Sequence, residues 1–130
     1  MYREDVMDHY EHPRNQGSFG DAQDKDVLTA RDSNASCGDM IQFFIKIGKS
    51  KAPNSNNQII AEVKWKGIGC AITTAAASKL SEYLQGQSLK VVQKMSEEEL
   101  VRKGVGFEVN PGRSKCLMLP VIVVGKILKN

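Results

Sequence analysis

The stretch Met40-Ile41-Gln42-Phe43-Phe44-Ile45-Lys46-Ile47 carries the strongest strand signal of the 130-residue sequence. Directly before it stands Ser36-Cys37-Gly38-Asp39, in which a soft thiol and a hard carboxylate flank a glycine. If this piece is extended, residues two apart project from the same side of the backbone. The side chains of Cys37 and Asp39 are therefore expected to aim at one point.

Further strands are predicted on both sides of this stretch. Ile59–Lys66 alternates between two faces, with Ile59, Ala61, Val63 and Trp65 opposite Ile60, Glu62, Lys64 and Lys66. Val27–Arg31 is a weaker candidate that ends in the turn residues Asp32-Ser33-Asn34. Lys49–Asn57 predicts a long polar hairpin loop, and Gly20–Asp24 another polar loop. The expected product is a small antiparallel sheet of three strands.

Helical periodicity marks the rest of the chain. Tyr2–His12 predicts a helix ended by Pro13, with an apolar face of Tyr2, Val6, Met7 and Tyr10. After Cys70 a second helix is predicted, because apolar residues recur every four positions, at Ile72, Ala76, Leu80 and Leu84. Gly86 is expected to end this helix. Two short helices are expected next, capped by Ser88 and by Ser96, the latter in a capping box with Glu99.

The last segment, Lys115–Lys129, is compatible with two structures. Its β-branched run Val121–Val124 favours a strand, whereas one helical stripe is formed by Leu117, Val121, Val124 and Leu128. In such a helix, Pro120 is expected to be accommodated only near the first turn.

Composition excludes several classes of protein. The length predicts one domain over residues 1–130, and a net charge of +3 gives no ground for a nucleic-acid partner. The first residues lack the apolar core of a signal peptide, and no apolar run reaches the roughly 18 residues of a membrane helix. We therefore expect no membrane segment. An odd count of three cysteines without a paired framework fits a reducing compartment, so we expect a cytoplasmic location.

The three cysteines lie in settings that stabilise a thiolate. Cys70 follows two glycines at a helix start, and Cys116 follows Arg113 and Lys115. With Cys37 and Asp39 they supply four ligands, the number that a tetrahedral metal or a small iron–sulfur cluster needs. No pair is Cys-x-x-Cys, and any one cysteine could instead be a small buried side chain. The chemistry alone predicts a thiolate-rich metal or sulfur site.

Two histidines offer a different chemistry. His9 and His12 are three residues apart and could ligate a metal, although such a pair more often marks a solvated helix end. Either could also pair with Cys37 or Cys70 in a cysteine hydrolase. That interpretation leaves the remaining cysteines without a role.

Several short motifs resemble one known family, the U-type iron–sulfur cluster scaffolds (IscU, SufU and the N-terminal domain of NifU). Its N-terminal helix is similar to Tyr2-Arg3-Glu4, Met7-Asp8-His9-Tyr10 and Pro13-Arg14-Asn15, and its ligand motifs follow in order as Cys37-Gly38-Asp39, Gly67-x-Gly69-Cys70 and Cys116. The resemblance implies an α+β fold, a three-stranded antiparallel sheet packed against several helices. It implies a site of Cys37, Asp39, Cys70 and Cys116, and a helix for the last segment.

The same resemblance implies a function. Iron, and sulfur from a cysteine desulfurase, would assemble on the thiolates as a transient [2Fe–2S] cluster that passes to apo iron–sulfur acceptor proteins. Asp39, a hard ligand, would hold the cluster less firmly than a fourth thiolate and let it leave. Cys116 is the candidate sulfur acceptor, and Lys115 is a candidate for steering the anionic persulfide or cluster.

The chain differs from the family's subgroups at named places. Lys115 stands where IscU-type members have histidine, and Pro111–Cys116 resembles the Pro-x-Arg-x-Lys-Cys of SufU-type members. The interval from Cys70 to Cys116 is nevertheless too short for the SufU insertion. The Leu-Pro-Pro-Val-Lys segment that IscU-type scaffolds offer to a dedicated Hsp70 chaperone is missing, which leaves delivery by that chaperone without support. Two alternatives use the same four ligands: a zinc-bound sulfur acceptor and a purely structural zinc site.

Overall fold

The computed structural model of the chain describes residues 4–19, 26–34, 38–50 and 57–129. Within these ranges the elements are α1 (Glu4–Glu11), β1 (Val27–Asn34), β2 (Asp39–Lys49), β3 (Gln58–Ile68), α2 (Ala71–Leu84), α3 (Leu89–Gln93), α4 (Glu97–Leu100) and α5 (Ser114–Leu128). A π-helical turn, Val101–Val105, continues α4, and a 3-10 turn, Pro111–Arg113, precedes α5. The predicted loop Gly20–Asp24, most of the loop Lys49–Asn57, and Tyr2 and Cys37 lie outside the described residues.

None of the described helices is both long and apolar enough to cross a membrane.

The three strands form one antiparallel sheet in the order β1-β2-β3, as predicted. The predicted end of the first strand is wrong, because β1 continues through Asn34. Asp32, Ser33 and Asn34 pair with Ile41, Met40 and Asp39 of β2. The hydrogen-bonded ladder beside a long neighbouring strand outweighs the turn preference of these residues.

A β-bulge in β3 overturns half of the predicted alternation. The pairing steps from Lys46–Glu62 to Ile47–Ile60, so Ala61 is an extra residue opposite β2. Side chains alternate between the two faces of a strand, so one extra residue moves the residues before it to the opposite face. Ile60 therefore points into the core and Ala61 points outwards. The prediction that Ile59 and Ala61 share the inner face with Val63 and Trp65 is therefore wrong, whereas Val63 and Trp65 are buried as predicted.

Two segments of irregular backbone border the open edge of β3. On one side, the Trp65 amide donates to the Asn15 carbonyl at 3.0 Å and the Gly17 amide donates to the Trp65 carbonyl at 2.8 Å. On the other side, the Ile60 amide donates to the Gln87 carbonyl at 2.9 Å. Between them, the Val63 amide donates to Oε1 of Gln85 at 3.1 Å. The edge amides of β3 at these positions are thus satisfied within the chain.

Helix α2 is the centre of the helical layer and packs against α1, β3 and α5. Its predicted stripe is entirely buried, at Ile72, Ala76, Leu80 and Leu84. The helix ends as predicted before Gly86, whose φ of 87° lies in the left-handed region that favours glycine. Ala75, Ala76 and Ala77 have no exposed surface, because their small side chains let neighbouring elements approach closely.

The last segment is helix α5, as the family resemblance implied. Its predicted stripe is buried, at Leu117, Val121, Val124 and Leu128. The expectation for Pro120 is wrong, because this residue lies buried in the helix interior. Pro120 has no amide hydrogen to donate to the carbonyl of Cys116, which costs stability. Burial of the helix's apolar side chains between α2 and the sheet outweighs that cost.

The two predicted caps differ in outcome. Ser96 accepts a hydrogen bond on Oγ from the Glu99 amide at 3.2 Å, so the cap of α4 is confirmed. Ser88 occupies the N-cap of α3 as predicted, but its side chain makes no capping hydrogen bond. The Ser88 backbone instead forms a bridge with Ile59 of β3.

The predicted apolar face of α1 is wrong in part. Val6 is buried as expected, whereas Met7 and Tyr10 are 38% and 44% exposed. The second buried residue of α1 is His9. Helix α1 lies against α2, where the imidazole ring of His9 makes a hydrogen bond with the hydroxyl of Ser78.

Candidate metal centre

Three of the four predicted ligands converge from three different elements. Asp39 begins β2, Cys70 is the N-cap of α2, and Cys116 lies in the first turn of α5. One carboxylate oxygen and the two Sγ atoms all lie within 4.8 Å of one another. Oxygen and sulfur donors lie about 2.0–2.3 Å from a bound metal ion, so donors this close together need only small side-chain movements to share one ion. Cys37, the fourth predicted ligand, is outside the described residues.

A close approach of β2 and β3 sets the separation between Asp39 and Cys70. Gly67 pairs with Ile41, and Ile68 pairs with Met40, immediately beside Asp39. Gly67 has a φ of 150°, and a Cβ atom there would lie 2.0 Å from the Met40 carbonyl oxygen. Only glycine permits both the backbone angle and the contact. Gly67 therefore fixes where the chain leaves the sheet to reach Cys70.

The site is largely enclosed, and its side at Cys70 is more exposed than the rest. The side chains of Asp39 and Cys116 are buried, each with 5% of the residue exposed. Cys70 is half-buried. A reagent or partner from solvent therefore reaches the Cys70 side of the group more easily than the Cys116 side.

Thr73 is a buried polar residue of the site that sequence reasoning missed. Its hydroxyl donates to Oδ2 of Asp39 at 2.8 Å and lies 3.5 Å from Sγ of Cys70. Thr73 has no exposed surface and stands in the first turn of α2. Its spacing of three residues after Cys70 places both side chains at the helix start, which is the one sequence signal that could have identified it.

The local hydrogen bonds favour the thiolate of Cys70. Burial raises the pKa of this thiol, but hydrogen bonds to its sulfur from the backbone amides of Thr73 and Ile72 and from Cys116 favour the thiolate. The net effect holds the pKa of Cys70 below its ordinary value of 9.0. A lowered pKa increases the fraction of the form that binds metals and attacks sulfur.

Lys115 lies beside the site rather than in it. It is exposed and lines a cleft of about 340 Å³ between the end of β1 and the start of α5. The other lining residues are Asp32, Ser33, Asn34, Ser114, Met118, Leu119 and Ile122. The cleft adjoins Asp39, through its pairing partner Asn34, and it adjoins Cys116, the residue after Lys115.

The histidines are separate from the ligand group. His9 is buried, with Nδ1 2.6 Å from Oγ of Ser78 and Nε2 3.3 Å from Oε1 of Glu82. The expectation of a solvated helix end is therefore wrong for His9 and fits only His12, which is exposed. Among the described residues, the ligand group contains no histidine. Ser78 is fully buried, so this Ser–His–Glu chain joins α1 to α2 and is closed to a substrate.

Comparisons with known proteins find similar sequences over nearly the whole chain. Residues 1–129 match the model of the NifU-like N terminal domain. The iron-sulfur cluster assembly scaffold protein IscU of Haemophilus influenzae is 33% identical over 118 residues, which are 91% of this chain and 85% of that protein. IscU of Escherichia coli (strain K12) is 31% identical over 118 residues, 91% of this chain and 84% of that protein.

Two solved structures share the α+β fold across nearly the whole chain. A putative iron-sulfur cluster assembly scaffold protein for the SUF system from Fervidobacterium islandicum AW-1 is 21% identical, with a TM-score of 0.62 and coverage of 98% of this chain and 96% of that one. The N-terminal part of a NifU-like protein from Brucella abortus is 11% identical, with a TM-score of 0.68 and coverage of 98% and 92%. The predicted fold class is confirmed, and the chain belongs to the NifU-like N-terminal domain family.

Proposed function

We propose that this protein is a scaffold on which an iron–sulfur cluster is assembled before it passes to acceptor proteins. The observation that carries the proposal is the meeting of Asp39, Cys70 and Cys116 within 4.8 Å in a chain of this family. The relatives from Haemophilus influenzae and Escherichia coli are named as iron-sulfur cluster assembly scaffold proteins. A scaffold binds its cargo without turning it over, so the protein itself need not be an enzyme.

In this proposal the cluster is cargo, and the residues divide the work of holding it. Cys70 and Cys116 supply soft thiolates, and Cys37 supplies the third from the segment before β2. Asp39 supplies the hard oxygen donor, which binds iron–sulfide less firmly than sulfur does. A [2Fe–2S] cluster held by three thiolates and one carboxylate is therefore bound most weakly at Asp39, and loss of that ligand is the first step by which the cluster leaves.

Sulfur delivery by a cysteine desulfurase and transfer to apo iron–sulfur proteins follow from the same proposal. Cys116 stays the predicted sulfur acceptor, with Lys115 at the rim of the adjoining cleft to attract the anionic persulfide. The half-buried Cys70, with its lowered pKa, is the competing acceptor. Mass mapping of the first persulfide formed by a desulfurase distinguishes the two thiols.

A zinc-bound sulfur acceptor is the second candidate, because three sulfur donors and one oxygen donor also suit tetrahedral zinc. Anaerobic reconstitution with ferrous iron, cysteine, a desulfurase and a thiol reductant, which reduces persulfide sulfur to the sulfide of the cluster, tests the scaffold directly. We expect the visible absorption of a [2Fe–2S] cluster and equal amounts of iron and acid-labile sulfide. Bound zinc with persulfide and no labile sulfide would instead support the sulfur acceptor, and zinc without persulfide would support the structural zinc site.

Single alanine variants assign the ligands in the same experiment. Cys37→Ala, Cys70→Ala and Cys116→Ala should each lower the bound metal, and should also lower the melting temperature of the metal-loaded protein. His12→Ala is the matched control, because His12 is exposed and outside the ligand group. If all three cysteine variants bind metal like the parent, the proposed ligand set is wrong.

A further inference from the structure

Thr73 connects the hard and the soft donors of the site. Its Oγ1 donates to Oδ2 of Asp39 at 2.8 Å, across 34 residues of sequence, and lies 3.5 Å from Sγ of Cys70. The residue has no exposed surface, so water does not compete for the hydroxyl. The bond has the ordinary length of an O–H···O hydrogen bond, and its burial makes the loss of either partner costly.

The hydroxyl has one proton to donate, and the geometry assigns that proton to the carboxylate. An ionised carboxylate can only accept, so the hydroxyl is the donor in the 2.8 Å contact with Asp39, whereas either atom can be the donor in the 3.5 Å contact with sulfur. The hydrogen bond engages Oδ2 only. It therefore fixes the rotation of the Asp39 carboxylate and with it the direction of the second oxygen.

The position of Thr73 is itself fixed by the helix start. A Cβ atom at Gly69 would lie 2.8 Å from both Cβ and Cγ2 of Thr73, so glycine at this position leaves the room that the threonine fills. The Thr74 amide donates to the Cys70 carbonyl at 3.0 Å, the first bond of α2. The hydroxyl therefore stands on a rigid first turn, which suits a group that orients another.

We propose that Thr73 is a positioning residue that holds Asp39 as a one-oxygen ligand and thereby sets how firmly the site grips its cargo. This inference rests on the proposed function, since it requires Asp39 to bind the metal. Without the hydroxyl, the carboxylate loses its fixed rotation and can turn away from the thiolates. The affinity of the site for a metal ion should then fall, because residues that orient a metal ligand by a hydrogen bond typically contribute 10- to 100-fold in affinity.

Cobalt binding to the apo-protein tests the proposal without any cluster transfer assay. The parent should show thiolate-to-cobalt charge transfer and the d–d bands of tetrahedral Co²⁺. Thr73→Val keeps the shape and removes the hydroxyl, so we expect its Co²⁺ dissociation constant to rise about tenfold or more, with altered d–d bands. Thr73→Ser keeps the hydroxyl and should restore both the affinity and the spectrum.

Thr74→Val is the matched control, because it makes the same change one residue along the same turn, on a side chain outside the ligand group. Equal weakening by Thr74→Val, or failure of Thr73→Ser to restore binding, would show a packing effect and overturn the proposal. Parental affinity and spectrum in Thr73→Val would also overturn it while leaving the scaffold function standing. A parent that shows no tetrahedral thiolate-bound cobalt would overturn the metal site itself.

If Thr73→Val does not fold, Gly69→Ala replaces it. The added Cβ must displace Thr73 from its place beside Asp39, so the same weakening of Co²⁺ binding is expected. Unchanged binding by folded Gly69→Ala would contradict the proposed role.

Discussion

Gly67→Ala should be one of the most damaging single-methyl changes in the protein. Gly67 has a φ of 150°, which side chains rarely adopt, and the new Cβ would lie 2.0 Å from the Met40 carbonyl oxygen. It would also lie 2.9 Å from the Cα of Ile41. These neighbours are backbone atoms of the central strand, so they cannot rotate away, and β2 or β3 must shift.

The expected loss of stability follows from two separate costs. A strained backbone angle costs about 1–3 kcal/mol, and overpacking adds about 1–3 kcal/mol, for a total of about 2–6 kcal/mol. A domain of this size has a free energy of unfolding of roughly 5–15 kcal/mol. At about 3 °C per kcal/mol, the melting temperature should fall by roughly 6–18 °C. The shift also moves Asp39 relative to Cys70, so metal affinity should fall as well.

Thermal unfolding of the apo-protein, followed by circular dichroism, measures this effect. Gly125→Ala is the matched control, because its Cβ would meet nothing within 4 Å inside α5. That variant should raise the melting temperature, since alanine favours a helix over glycine by about 1 kcal/mol. A melting temperature of Gly67→Ala within about 2 °C of the parent would refute the reasoning, because β2 and β3 would then have accommodated the added methyl group at little cost.

Three further predictions concern the histidine, the thiols and the carboxylate. Burial, and after it the charge of Arg14, lowers the pKa of His9 below 6.5, so the stability that neutral His9 contributes is present above about pH 6.5 and is lost as the pH falls through the folded pKa. His9→Gln should therefore reduce the fall in melting temperature at acid pH, and an unchanged pH profile would contradict this. Alkylation mapped by mass spectrometry should modify Cys70 faster than the buried Cys116, with a midpoint below pH 9.0, and the reverse order would refute the assigned thiolate. Asp39→Ala should still assemble a cluster but transfer it to an apo-ferredoxin more slowly than the parent, whereas equal or faster transfer would argue against release through this ligand.

Periodic features of the sequence were enough to predict most elements. The four-residue repeat of Ile72 and Leu80 specified α2, and the apolar run at Phe43 specified β2, because burial of one face produces these patterns. The bulge at Ala61 was beyond such reasoning, since pairing with β2 decides it and no local residue marks it. The same holds for β1, where a neighbouring strand overrode the turn preference of Asp32.

The candidate site was predictable where residues at element boundaries carried unusual chemistry. The convergence of Asp39, Cys70 and Cys116 was expected from their residue types and from the family's order of motifs. Thr73 was missed because a threonine in a first helical turn has no distinctive pattern. His9 was misjudged because its partner, Ser78, is 69 residues away in the sequence and only the fold brings them together.

The segments that border β3 have a consequence for strand pairing between copies of the protein. An open strand edge is a template on which another chain can add a strand, and natural sheets protect such edges. Here the cover is supplied by Asn15 and Gly17 from the N-terminal side and by Gln85 and Gln87 after α2. Removing the N-terminal segment would therefore do more than delete α1. It would also expose the Trp65 amide and carbonyl, on which a strand from another molecule could then pair.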